Sequence, residues 1–197
     1  MATPSAAPAV LTGRRVVLSV PTDADVDRIA ELCVDPAIAE WTTVPAPYTR
    51  DDAVGFVNGF VADGWASGRI HTWGIRVGED LVGMMGLHGI EDSAAEIGFW
   101  LAPEARGLGL MSEATALALD YGFAPAPDGL GLQRIVWHAF AGNVASAAVA
   151  RRAGFTFEGV SRLGAVHRGR RRDDWQAGLL ATDPRVPNDG WPAETVA

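Results

Sequence analysis

The stretch Glu96-Ile-Gly-Phe-Trp-Leu-Ala-Pro-Glu-Ala-Arg-Gly-Leu-Gly-Leu-Met-Ser-Glu-Ala114 constrains this chain more than any other. In its first part Ile97, Phe99 and Leu101 alternate with Glu96, Gly98 and Trp100, the pattern of a strand with two distinct faces. Its last part opens a helix predicted over Leu110 to Phe123, with Leu110, Ala114, Leu117 and Tyr121 on one stripe. Gly107 and Gly109 lie between, so a strand must turn directly into a helix. A helix start carries unpaired N–H groups and a partial positive charge. Glycines there remove the Cβ atoms that would hold an anion away. A phosphate cradle and a plain packing turn both fit this fragment. The Lys-Ser/Thr of a P-loop and the third glycine of a dinucleotide fingerprint are missing.

Around this segment the pattern is that of one mixed domain. Residues 1–12 read as a leader rich in Ala and Pro, and Arg14 to Val20 as the first strand. Thr22 caps a helix with Val26, Ile29, Ala30 and Cys33 on its apolar face. A short helix follows at Pro36 to Trp41. Thr49 caps a third, in which Val54, Val57, Val61 and Trp65 recur and Gly55, Gly59 and Gly64 weaken the pattern. Ile70 to Val77 and Leu81 to Ile90 flank the hairpin signal Gly78-Glu79-Asp80. Arg134 to Phe140 is a strand, and Asn143 caps a helix that Gly154 ends. Phe155 to Val166 and Asp174 to Ala181 are the last strands, joined across the basic stretch His167 to Arg172. The tail, residues 183–197, reads as peripheral. The expectation is an α+β domain over residues 13–182, with about seven strands in one twisted sheet flanked by helices.

Composition narrows the function classes. Sixteen basic and 24 acidic residues give a net charge of −8, which argues against nucleic acid as partner. No apolar run reaches the ~18–20 residues that span a bilayer, so no membrane role is expected. The first residues lack the basic and apolar regions of a signal peptide. One cysteine, Cys33, allows neither an internal disulfide nor a zinc cluster, and it falls on a buried helix face. A cytoplasmic protein without a metal is the expectation.

The run Ala105-Arg-Gly-Leu-Gly-Leu-Met-Ser-Glu-Ala114 resembles the pyrophosphate loop of the GCN5-related N-acetyltransferases (GNAT), Gln/Arg-x-x-Gly-x-Gly/Ala. Arg106 and Gly109 match, and Met111 stands where Gly or Ala is usual. Downstream, Asn143-Val-Ala-Ser146 followed by Arg152-Ala-Gly-Phe-Thr-Phe-Glu-Gly159 resembles the family's next element, a helix along the pantetheine arm and a Gly-Phe turn into a strand. The opening Arg-Arg-Val-Val-Leu-Ser-Val-Pro-Thr-Asp-Ala-Asp, the strand Glu-Ile-Gly-Phe-Trp-Leu-Ala-Pro and the basic hairpin before Asp174 are similar to the branch that acetylates serine or alanine α-amines of ribosomal proteins. The likeness runs from about Arg14 to Leu180.

The resemblance implies a mostly antiparallel sheet that splays between its fourth and fifth strands, with acetyl-CoA as cosubstrate in the gap. Phe99, Trp100 and Leu101 would offer main-chain groups to the pantetheine arm. Arg106, Gly107, Leu108, Gly109, Leu110, Met111 and Ser112 would hold the pyrophosphate, and Asn143 would cap its helix, touch the pantetheine amide, or both. His138 is placed as general base, or as a histidine facing solvent or packed beside Trp137. Ser146 is placed on the departing thiolate, or bonded to its own helix. Glu96 would orient a water or make a structural pair, and Asp174 would receive a substrate ammonium. Arg168, Arg170, Arg171 and Arg172 would reach the CoA 3′-phosphate or an acidic substrate, or stay solvated. Trp41, Tyr48, Trp65 and Trp73 would line an acceptor pocket or fill the core. The implied reaction is acetyl transfer by direct attack in a ternary complex, to a peptide N-terminus of Ala/Ser type or to a small amine. The other-class alternative is a non-catalytic acyl-CoA-binding or scaffold domain. A homodimer is common in the family.

Overall fold

The computed structural model describes residues 8–195. Eight strands form one sheet: β1 (Leu11–Thr12), β2 (Val17–Ser19), β3 (His71–Val77), β4 (Asp80–Glu91), β5 (Ala94–Leu101), β6 (Arg134–Phe140), β7 (Thr156–His167) and β8 (Arg170–Leu180). Their order across the sheet is β1-β2-β3-β4-β5-β6-β8-β7. Every neighbouring pair is antiparallel except β5 and β6. That parallel pair needs a crossover, which α5 (Leu110–Phe123) provides.

The remaining helices are α1 (Val26–Leu32), α2 (Pro36–Trp41), α3 (Arg50–Gly55), α4 (Ala62–Ser67) and α6 (Val144–Arg152). A π-helical turn over Phe56–Val61 joins α3 to α4, so the glycine-weakened third helix is continuous but locally unwound. Thr49 and Asp52 form a capping box at the start of α3, and Asp35 accepts the Ala37 N–H at the start of α2. The core centres on Trp73, Ile75, Met85, Leu87, Ile97 and Ile135, each at most 1% exposed.

Cross-strand pairing sorts the side chains of the sheet onto two faces. Trp73, Met85, Leu87, Ile97 and Trp137 point toward α5 and α6: the Trp73 ring lies 5.5 Å from that of Tyr121, and Trp137 bonds to Ser146. Thr72, Gly86, His88, Glu96 and His138 fall on the opposite face, where Phe60 of the π-helical turn meets His88 edge-on at 5.9 Å. Gly86 leaves room there for the His88 ring. A Cβ on it would come within 2.2 Å of the His88 ring.

Four expectations shift. The sheet has eight strands, because Gly13 N–H bonds Val16 O and folds residues 11 and 12 back onto β2. Arg14 and Arg15 lie in that turn and not in a strand. The basic stretch is mostly strand: β7 and β8 extend until only Arg168 and Gly169 turn between them. The tail is docked. Trp191, 6% exposed, donates to Phe155 O at 2.8 Å and packs on Trp137 and Phe157.

Candidate active site

β5 and β6 pair only from Ala94 to Ile97 against Arg134 to Trp137. Beyond that point they separate, and the sheet is open between Gly98–Leu101 and His138–Phe140. The bond from Ala102 N–H to Val82 O (2.8 Å), with Trp100 opposite Met84, sets the phase of the β4–β5 ladder. Antiparallel alternation then turns the peptide groups of Phe99 and Leu101 toward the gap. Those of Trp100 face β4, so of the three residues expected to offer main-chain groups, Trp100 contributes its side chain instead. The Leu101 carbonyl already accepts from Arg106 Nε at 3.1 Å.

At the top of the gap lies the glycine turn. Gly107 and Gly109 have φ of +74° and +76°, the left-handed region that glycine enters without strain. Arg15 reaches across to donate to the carbonyls of Leu108 (2.8 Å) and Gly109 (3.3 Å). Those carbonyls are held on one side, and the amides face the other. Among the described residues, the N–H groups of Gly107, Leu108, Gly109, Leu110, Met111 and Ser112 have no protein acceptor. Six consecutive unpaired donors at a helix start match a diphosphate in chemistry and charge. Arg106 is the exception in this run. Its N–H bonds Pro103 O, and its guanidinium bonds Leu101 O and Asp35 (2.8 Å). It braces the turn against the start of α2 and leaves the cradle to the amides.

Ser146 and Asn143 stand beside the gap on the α6 side. Asn143 Oδ1 accepts the Ser146 N–H at 3.2 Å, and Ser146 Oγ accepts from Trp137 Nε1 at 2.9 Å. The serine hydroxyl proton is therefore free to point elsewhere. On the other face His138 Nδ1 lies 2.8 Å from Asp174 Oδ2, and Gln176 donates to that same oxygen at 3.1 Å. Glu96 is enclosed by protein but still faces open space in the cleft. Burial raises its pKa, the charge of Asp174 adds to the rise, and His138 opposes it. Glu96, His138 and Asp174, with Ser146 and Asn143, line a cavity of about 900 Å³ that also exposes Asp51, Asp52 and His88. Burial lowers the pKa of His88, which favours a neutral imidazole.

The basic hairpin braces the cavity wall without lining it. Arg168 donates to Ala39 O at 2.8 Å, and Arg172 bonds Glu40 at 2.7 Å while lying 5.0 Å from the Trp41 and Phe140 ring centres. Arg171 bonds Leu163 O. Arg168 and Arg172 are thus committed to α2 and the segment after it, away from the glycine turn. Trp41 and Tyr48 line the cavity, whereas Trp73 is core and Trp65 stacks on His71 at 3.9 Å. Burial drives the His71 pKa down to about 4 and that of the Cys33 thiol up to about 12, so both stay neutral as core groups. The Glu113 brace on Arg15 and the role of Trp191 were not visible in the sequence. Glu113 accepts the Arg15 main-chain N–H at 2.7 Å and its Nε at 2.9 Å.

A splayed parallel pair, a free-amide turn opening the crossover helix, and a cleft that joins both faces define an acyl-CoA-dependent acyltransferase. Residues 15–156 match the acetyltransferase (GNAT) domain family, and the chain belongs to it. It is an acetyl-CoA-dependent N-acetyltransferase. YdaF of Bacillus subtilis (strain 168), which carries a provisional name as a ribosomal N-acetyltransferase, is 35% identical over 102 residues. That match spans 51% of this chain and 54% of YdaF, so the chain matches about half the length of this relative. The fold is shared with RimL, the ribosomal L7/L12 α-N-protein acetyltransferase solved in complex with coenzyme A: TM-score 0.78 and 22% identity over 87% of this chain and 98% of that one. Mycobacterium smegmatis RimJ, solved with a CoA disulfide, gives a TM-score of 0.81 and 21% identity over 88% of each chain. Among the described residues no helix is long and apolar enough to cross a membrane.

Proposed function

We propose that this enzyme acetylates a protein N-terminal α-amine of Ala or Ser type, by direct attack within a ternary complex. The observation that carries the reading is the cleft itself. Its volume, about 900 Å³, takes in both the gap and the open space beside it, and there the side chains of Glu96, Asp51 and Asp52 give an acidic lining suited to an ammonium group. RimL, named as an α-N-protein acetyltransferase of ribosomal L7/L12, supports the same class of acceptor, and YdaF carries a ribosomal N-acetyltransferase name.

The chemistry asks little of the base. An α-amine titrates near 7.7–8.0 and a lysine near 10.4, so an imidazole can accept the proton of an α-amine at neutral pH. His138 takes that role at the mouth of the gap. The N–H of Phe99 or Leu101, which the ladder leaves pointing into the gap, stabilises charge on the acyl oxygen. The bound thioester supplies the acetyl group and a thiol leaving group. Ser146 Oγ, fixed by Trp137, turns its proton toward the leaving sulfur. The amides of Gly107 to Ser112 hold the diphosphate.

The test is an acceptor panel with mass detection: peptides beginning with Ser or Ala, lysine-containing peptides blocked at the N-terminus, polyamines and free amino acids. N-terminal acetylation of the Ser and Ala peptides is expected. Turnover confined to small amines would move the protein to that class. Acetyl-CoA binding with no turnover on any amine would make it a non-catalytic binding domain.

A further inference from the structure

His138 has two ring nitrogens in different surroundings. Nδ1 points to the Asp174 carboxylate at 2.8 Å. Nε2 has no protein partner among the described residues, and the ring lines the cavity. An ionised carboxylate can only accept, so Nδ1 must carry the hydrogen. In the neutral ring the lone pair is then on Nε2. The carboxylate is itself fixed. Asp174 is 9% exposed, and Gln176, directly opposite His138 across β6 and β8, donates to the same oxygen at 3.1 Å. Gly98, next in line beyond the last β5–β6 pair, puts no side chain between the ring and the gap.

We propose that Asp174 is a positioning residue: it holds His138 in the Nδ1–H tautomer, so that Nε2 receives the acceptor amine's proton. This replaces the ammonium-binding role expected of Asp174 and rests on the proposed amine acetylation. In the step, the amine nitrogen forms a bond to the acyl carbon and the carbon–sulfur bond breaks. The amine proton moves to Nε2, and the Asp174 charge offsets the imidazolium that results. The thiolate takes a proton from water directly, or from Ser146 Oγ, which solvent reprotonates, and His138 returns its proton to solvent. One amine and one thioester yield one amide and one thiol.

Other charges bear on the same ring. Glu96 from β5 faces it, and its pKa is raised by burial. Glu158 from β7 lies near it, held low by Arg134 first and by His138 last. His88 from β4 and Asp51 and Asp52 from α3 share the cavity. Only Asp174 makes a direct bond to the imidazole among the described residues. The pH profile is therefore a property of the cluster, whereas the tautomer reports Asp174 alone.

The experiment is nitrogen-15 NMR of the histidine side chains in the full chain, above the pH at which His138 becomes neutral, with coenzyme A bound. The wild-type His138 is expected to carry its hydrogen on Nδ1. Asp174→Asn is expected to shift the ring toward the Nε2–H form and lower kcat on the order of 10²-fold or more, with KM for acetyl-CoA within about 2-fold. Asp174→Glu restores part of the Nδ1–H population and part of the rate. A wild-type ring protonated on Nε2 overturns the proposal, and that reading needs no variant to fold. So does an Asp174→Asn enzyme with unchanged tautomer and rate. If no amine is turned over, the acetylation reading fails while the tautomer still decides the role of Asp174.

Discussion

The two faces of the sheet solve different problems by different means. On the α5–α6 face the candidate diphosphate site is main chain: six amides, two glycines in the left-handed region, and carbonyls held back by Arg15. On the opposite face the proposed acceptor site is side chain: Glu96 from β5, His138 from β6, Asp174 from β8 and the Phe56–Phe60 pair from the π-helical turn. A main-chain site tolerates sequence change, which is why Met111 can stand where Gly or Ala is usual: an amide donates whatever its side chain. A side-chain site depends on strands far apart in sequence meeting in register. The gap between β5 and β6 is where the two meet, with Ser146 on one side and His138 on the other.

Substitutions that strike one face alone break this comparison most sharply. His138→Ala is expected to lower kcat by about 10²–10³-fold while calorimetry finds coenzyme A affinity within 2-fold. Loss of cofactor binding in that variant would mean the faces are not separate. Gly109→Val is the mirror experiment. Its φ of +76°, which a β-branched residue adopts only under strain, should weaken coenzyme A binding about 10–30-fold. Ser146→Ala is expected to cost about 10-fold in kcat, and its melting temperature should fall because the buried Trp137 N–H loses its acceptor. These three effects should be read in one buffer, so that the ratio of rate loss to affinity loss locates each residue on its face.

Smaller effects sharpen the picture through pH. The Arg15 main-chain N–H, seconded by its side chain, draws the Glu113 carboxyl from 4.5 down to about 2. A lowered carboxylate pKa stabilises the fold above its unfolded value, and that contribution is lost as pH falls through the folded value. Glu113→Gln should therefore melt below the wild type at pH 7, and the difference should close between about pH 4.5 and pH 2. Glu96 has the opposite sign. Burial raises its pKa above 4.5, so ionising it costs stability as pH rises through the raised value. Glu96→Gln should melt slightly above the wild type at pH 7 and equal to it near pH 4, as thermal scans at the two pH values would register.

How far the sequence could be read follows the same division. The strand–turn–helix from Glu96 to Ala114 is local, so its alternation announced the strand faces and its glycines the turn, with a phosphate cradle as one of two readings. The caps Thr49 and Asn143 were legible for the same reason. The Arg15–Glu113 brace spans 98 positions and carries no local pattern. The His138–Asp174 bond depends on the β6–β8 register, which cannot be read from either strand alone. Glu40 and the Ala39 carbonyl decide among the readings left open for the basic hairpin, because arginine runs look solvated until their acceptors are known. Trp191 lay in a proline-bearing tail, where composition points outward and a single anchoring ring is easily missed.

The most direct test of the central claim is a titration of nitrogen-15-labelled protein with coenzyme A, followed amide by amide. The account predicts that Gly107 to Ser112 shift most, followed by Phe99 and Leu101 in the gap, while Trp100 and the amides of α3 move little. Shifts that cluster elsewhere, or a glycine turn that stays unmoved at saturating ligand, would contradict it.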